Sequence, residues 1–185
     1  MTNLAGQCLV AMPGIGDPRF EHAVVYLCAH SDDGAMGLIV NKPTPELRFK
    51  DLLESLGIDG KDTARDIRVH FGGPVETTRG FVLHSADYSS DGVTLDVEDG
   101  VGLTATLDVL EALAKGEGPK SSMLALGYSG WGPGQLEEEI AQNGWLLCPG
   151  RTDLLFGRAN EHKWAAALKS IGIDPVSLSG AAGRA

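Results

Sequence analysis

Long apolar runs are missing from this sequence. The longest, Ala23 to Ala29, spans seven residues, where a helix that crosses a bilayer needs roughly 18. The N-terminus also lacks the basic stretch and apolar core of a secretory signal. Together these absences argue against a membrane span and predict a protein of the reducing cytoplasm.

Basic residues are scarce as well. Fifteen Lys and Arg stand against 25 Asp and Glu, a formal net charge of −10. Sequence-independent affinity for nucleic acid comes from cations that displace condensed counterions, so composition argues against direct DNA binding. The most basic stretch, Lys61 to Arg68, alternates its signs and reads as a solvated surface segment. No basic recognition helix follows the helical pattern that ends at Gly57.

Cysteine is limited to Cys8, Cys28 and Cys148, each inside an apolar run, and these read as buried thiols that act as small hydrophobes. The five histidines (His22, His30, His70, His84 and His162) show no HxxH, HExxH or Cys/His spacing. No metal and no cofactor are therefore expected.

Glycine is in excess: 25 residues, where average usage of roughly 7% gives about 13 in a chain of this length. Many sit beside Pro, Asn or Asp, which points to tight turns and close backbone approach in a β-rich domain. Short β-type runs recur at Gln7–Met12, Val24–Ala29, Met36–Val40, Ile67–Phe71, Phe81–His84, Val93–Val97, Gly102–Ala105, Ser122–Leu126 and Trp145–Cys148. Four helices have start and stop signals. The first is capped by Thr44 with Pro45 behind it, the second by Thr106, the third opens at Pro133 or Gly134, and the fourth is capped by Asn160. Strands interrupted by single helices predict an α+β domain with a mixed sheet, a doubly wound parallel sheet being the alternative. One domain is expected over residues 1–176, and the small, polar segment 177–185 reads as a disordered tail.

The segment GYSGWGPGQL at 127–136 reads as a loop between a strand and a helix, the arrangement of many ligand sites. Tested against known chemistries it fits none. Pro133 and Gly134 replace the Lys-Ser/Thr of a P-loop, and Glu137, Glu138 and Glu139 in the next helical turn repel a phosphate. Trp131 stands where a serine elbow G-x-S-x-G needs glycine, which argues against Ser129 as a nucleophile. Trp131 either plugs the core against Leu136 and Ile140 or lines a ligand site. His70 and His84 end neighbouring runs and read as satisfied structural histidines. Phe71-Gly72-Gly73-Pro74-Val75 is either a sheet corner or a nest of backbone N–H groups, and Asn41 is either a turn residue or a ligand contact.

Several strings, taken in order, resemble the AlgH/YqgE family of bacterial proteins. They are Ala11-Met12-Pro13, Asp17-Pro18 with Phe20, Val25-Tyr26-Leu27-Cys28 with His30, GAMGLIVNKP at 34–43, FGGPV at 71–75, Gly80 to His84, GYSGWGPGQLEEEI at 127–140, and Trp145. The resemblance implies a compact α+β domain with a bent sheet partly closed into a barrel and helices around it. It carries no catalytic residues, and the family's transcriptional-regulator label implies no contact with DNA. Family members commonly have Ala at the position of Ser129, which counts against a nucleophile there.

The sequence thus supports a non-enzymatic binding or regulatory module that takes a small molecule or a protein partner. Its ligand residues are expected among Asn41, Gly72, Gly73, His84, Tyr128, Trp131 and Gln135, with the three tight segments gathered on one pocket. The alternative is a small hydrolase with His30 or His84 as base. That reading requires a histidine within hydrogen-bond reach of both a Ser or Cys and a carboxylate.

Overall fold

A computed structural model of the chain describes residues 3–58, 67–89, 94–98, 100–105, 107–157 and 159–182. Among the described residues there are ten strands and six α-helices. The strands are β1 (Gln7–Ala11), β2 (Val24–Ser31), β3 (Gly34–Ile39), β4 (Pro43–Arg48), β5 (Arg68–Phe71), β6 (Val75–Ser85), β7 (Thr94–Glu98), β8 (Val101–Thr104), β9 (Ser122–Trp131) and β10 (Trp145–Pro149). The helices are α1 (Phe49–Ser55), α2 (Leu107–Ala114), α3 (Gln135–Ala141), α4 (Thr152–Phe156), α5 (Asn160–Ser170) and α6 (Pro175–Ala182). All nine β-type runs become strands. Helix α6 takes in part of the segment read as a tail, and the expected cap Thr106 lies outside the described residues.

One sheet organises the chain in the order β10-β1-β2-β3-β9-β6-β8-β7, antiparallel throughout, with β5 joining β9 in parallel and carrying β4. It curls as a half-barrel and ends at β10 and β7 without closing, so the protein is a mixed α+β single domain. The strands of its first half are buried on both faces. In β1, Cys8 and Val10 enter one apolar cluster with α4 and α5, whereas Leu9 and Ala11 enter another with α3. That is the period of two expected of a strand covered on both sides. A third cluster packs α1 and α2 against β5, β6 and β9 through Phe49, Leu53, Leu113 and Leu124.

Three expectations fail here. Thr44 and Pro45 do not open a helix: they belong to β4, Thr44 Oγ1 donates to the Val69 carbonyl at 3.0 Å, and α1 begins at Phe49. The prolines suit β4 because it pairs on only one side, where a missing N–H costs little. The second concerns 127–131, which is not a loop. β9 runs unbroken to Trp131, bending at Gly127 with φ 76°, and only Gly132 to Gly134 form the turn into α3. Asn160 likewise leaves the capping position to Ala159, and its amide turns inward to His70.

The bend in β9 marks a crossing of chains. Val69 of β5 and Val82 of β6 both pair with Leu124, so these two strands flank β9 on opposite edges. Only Gly72, Gly73 and Pro74 connect them. This short link passes directly over β9, with Gly72 N–H donating to Leu126 O at 2.8 Å and Gly72 O accepting from Ile39 N–H at 2.9 Å.

Candidate functional site

Beyond the crossing β9 changes partners. Residues 122–126 lie between β5 and β6, whereas Ser129, Gly130 and Trp131 pair with Gly37, Met36 and Ala35 of β3. On the other edge β6 bulges: Val75 faces Tyr128 and Gly80 faces Leu126, so Glu76 to Arg79 swing clear of the ladder. Glu76 takes φ 48° there, a backbone conformation unusual for a residue with a side chain. The gap between this bulge and the β2–β3 hairpin is a cleft of about 700 Å³.

Its floor is apolar, made by Met36, Phe81, Tyr128 and Trp131, its rim is polar, with Asp33, Glu76 and Arg79, and the buried His30 closes one end. The Arg79 guanidinium lies 5.1 Å from the centre of the Phe81 ring. Phe81 in turn meets Tyr128 edge-on at 5.8 Å. Arg79 also reaches Glu76 at 3.4 Å, and both side chains are about half exposed, so this ion pair adds little stability. The result is an aromatic wall ending in a cation with donors to spare.

At the hairpin end His30 is held in one tautomer. Its Nδ1 accepts from the Leu4 N–H at 3.0 Å, so Nε2 carries the proton and donates to Glu137 Oε1. That hydrogen bond holds the half-buried Glu137 carboxyl below its usual range. The two other buried histidines are equally engaged. His84 donates from Nδ1 to Ser85 O and accepts at Nε2 from Thr104 Oγ1 at 2.8 Å. His70 donates from Nδ1 to Leu124 O and accepts at Nε2 from Asn160 at 3.0 Å, and burial pushes its pKa down. His70 and His84 do not meet, because β9 lies between their strands. Ser129 is buried, with its hydroxyl on the Gly72 carbonyl at 3.2 Å. Among the described residues no histidine therefore joins a nucleophile to a carboxylate.

The residues marked in the sequence separate into two groups. Tyr128 and Trp131 line the cleft. Gly72 and Gly73 lie at the chain crossing behind it, in contact with Gly127 and Tyr128. Asn41 clips the chain entering β2, accepting from Val24 N–H at 2.9 Å and donating to His22 O at 2.8 Å. Gln135 closes the turn into α3 by accepting from Gly132 N–H at 2.9 Å. Phe71 N–H donates to Lys42 O at 2.7 Å and Gly73 touches Tyr128, but of the marked residues only Tyr128 and Trp131 line the cleft.

Arg79, Phe81, Glu76 and Met36 were not marked as site residues in the sequence. One signal was available: Arg79 and Phe81 are two apart in a strand and so share a face, which puts a cation beside a ring. Glu139 was also missed. It accepts from both Trp131 Nε1 at 3.2 Å and Trp145 Nε1 at 3.0 Å, while Gln135 Nε2 donates to its other oxygen at 2.9 Å. Glu139→Ala should leave two largely buried indole N–H groups without an acceptor, which costs about 2–3 kcal/mol. For a chain of this size that lowers the unfolding midpoint by roughly 5–10 °C. Glu139→Gln, which keeps one acceptor oxygen, should lose less than half as much in the same thermal melts.

Comparison with known proteins fits this architecture. The chain is 55% identical to a UPF0301 protein of Cereibacter sphaeroides over 183 residues, covering 99% of this chain and all of that one. It is 53% identical to a UPF0301 protein of Rhodospirillum rubrum, covering 98% and 94% of the two chains. The solution structure of the AlgH protein from Pseudomonas aeruginosa superposes with a TM-score of 0.81 at 40% identity, over 96% of this chain and 94% of that one. A Corynebacterium diphtheriae protein of known crystal structure shares the fold alone, with a TM-score of 0.73 at 17% identity over 96% and 91% of the chains. The sequence model of the AlgH-like family, DUF179, matches residues 8–176, and the chain belongs to that family.

Proposed function

We propose that this protein is a non-catalytic binding module whose ligand occupies the cleft between the β6 bulge and the β2–β3 hairpin. The observation that carries the reading is the wall Arg79–Phe81–Tyr128, a concave apolar surface ending in a cation. Ligand sites are of this kind, apolar with a few placed polar groups. The engaged nitrogens of His30, His70 and His84 supply no base beside it. Tyr128 and Trp131 contact the ligand, Gly72, Gly73 and Gln135 hold the backbone that presents them, and Asn41 and His84 bond elsewhere, at the start of β2 and to Ser85 and Thr104.

A small molecule with an aromatic or apolar body and an acidic group fits this wall better than a nucleic acid does. The net charge of −10 opposes polyphosphate approach. Any control over gene expression is then exercised through the ligand or a protein partner, in the cytoplasm.

The test is titration of the isotopically labelled protein with small aromatic carboxylates, followed by amide chemical shifts. Shifts should concentrate on Ala35–Met36, Arg79–Phe81 and Tyr128–Trp131. Tyr128→Ala should weaken the best binder about tenfold, as the loss of one aromatic contact does, with the unfolding midpoint little changed. Binders that shift other residues, or duplex DNA bound near physiological salt, would overturn the reading.

A further inference from the structure

The three cysteines lie far apart in sequence, yet they stand on three adjacent strands and point into one apolar cluster. Cys8 on β1 is directly opposite Cys148 on β10, whereas its opposite number on β2 is Tyr26, with Cys28 two residues further along. The ladder fixes the type of pair. Met12 N–H donates to Gly144 O across β1 and β10 at 2.9 Å, so the even-numbered residues of β1 exchange hydrogen bonds with β10, Cys8 with Cys148 among them. Such pairs have Cα atoms about 5.5 Å apart, inside the range of about 4.4–6.8 Å that a disulfide spans. The diagonal from Cys8 to Cys28 is longer, about 7–8 Å.

We propose that Cys8 and Cys148 form a peroxide-oxidisable dithiol, in which Cys148 is oxidised first and Cys8 then closes a reversible disulfide between β1 and β10. The two thiols are not equivalent. Cys8 is fully buried, and its hydrogen bond to Cys148, with burial second, pushes its pKa well up. The same hydrogen bond pulls the Cys148 pKa down, burial opposes it, and Ser170 lowers it further. Ser170 and Pro149 also line a pocket of about 480 Å³ whose rim carries Arg151, His162 and Lys169. Cys148 is itself buried, so peroxide reaches it through local opening of the chain beside Ser170. It lies on an edge strand, which opens locally more readily than the centre of a sheet. Cys28 is pushed up to about 12 by burial and stays a thiol.

The chemistry balances with a hydroperoxide as oxidant. The Cys148 thiolate attacks one peroxide oxygen; an S–O bond forms, the O–O bond breaks, and the departing alkoxide or hydroxide takes up the proton released from the thiol. Cys8 sulfur then attacks the sulfenic sulfur of Cys148. The S–S bond forms, the S–O bond breaks, and hydroxide leaves with the Cys8 proton as water. Two electrons pass from the thiols to the peroxide, and an external dithiol reverses the link. The linked form ties edge strand β10, and the α5 helix packed on it, to its neighbour β1.

The test is a count of free thiols in the folded protein before and after hydrogen peroxide, read after denaturation. The count should fall from three to one and return to three with dithiothreitol, and peptide mapping should join Cys8 to Cys148. Cys28→Ser should still lose both of its remaining thiols, whereas Cys148→Ser should keep both of its own. A count that stays at three, a count of two, a linkage through Cys28, or loss of both thiols in Cys148→Ser each overturns the proposal.

Discussion

Replacing Gly73 by alanine should lower the unfolding free energy by about 4 kcal/mol and the midpoint by roughly 10 °C. A Cβ at this position would lie 2.1 Å from both the carbonyl carbon and oxygen of Tyr128, and 2.4 Å from Ser129 N. All three are backbone atoms of a central strand, so no rotamer change relieves the clash. The obstruction is reciprocal. A Cβ on Gly72 would meet Gly127 O at 2.3 Å, and one on Gly127 would meet Gly73 O at 2.4 Å. Two backbones touch here, and neither has room for a side chain.

Gly130 supplies the control. It belongs to the same glycine-rich string and to the same strand, yet a Cβ there finds only the Tyr128 ring edge, at 3.4 Å. Gly130→Ala should therefore change stability by no more than about 1 kcal/mol. Urea unfolding of both variants separates the crossing from mere glycine content. A Gly73→Ala protein within 1 kcal/mol of the parent would mean that the β5–β6 link does not lie on β9. The same variant should also disturb the cleft, because Tyr128 is both the residue struck and part of the ligand wall.

This crossing also shows what could be read from the sequence and what could not. Short apolar runs of β-forming residues between glycine or proline stops located nine of the ten strands among the described residues, because strand formation in β1, β2 and β9 is decided by local side-chain pattern. β4 was lost because proline at its edge imitates a helix start. The strings FGGPV and GYSGW were both singled out, but sequence alone could not say that each needs glycine because of the other. A contact between Gly73 and Tyr128 is a long-range fact. The same holds for the cleft: Tyr128 and Trp131 were named, whereas Arg79 and Phe81 became a site only when β6 bulged on one edge of β9 and β3 paired with the other. Lys163 gave no signal at all, since a lysine between His162 and Trp164 on a helix reads as a surface residue.

Lys163 is instead almost fully buried, with Nζ donating to Val40 O at 2.8 Å and Leu155 O at 2.9 Å. Among the described residues no carboxylate faces it. Burial lowers its pKa from 10.5 to about 8, and the sign of the consequence follows. Between pH 8 and 10.5 the unfolded chain holds a proton at this lysine that the folded chain has released, so stability rises with pH across that window. Below pH 8 both states carry the charge, and the full cost of burying it is present. The stability of the parent relative to Lys163→Met should therefore increase by about 2.5 kcal/mol from pH 7 to pH 10, at about 1.4 kcal/mol per pK unit. Taking the difference matters, because Cys28 has the opposite sign: its folded pKa of about 12 makes stability fall as the unfolded thiol ionises near pH 9. Methionine fills a similar volume and removes the buried charge, but it leaves two carbonyls without this donor, a loss of about 2 kcal/mol. At pH 7 these terms nearly offset, so Lys163→Met should fold with a midpoint close to the parent's. A difference that is flat from pH 7 to pH 10 in guanidinium titrations would place the Lys163 ammonium in water and not beneath the sheet.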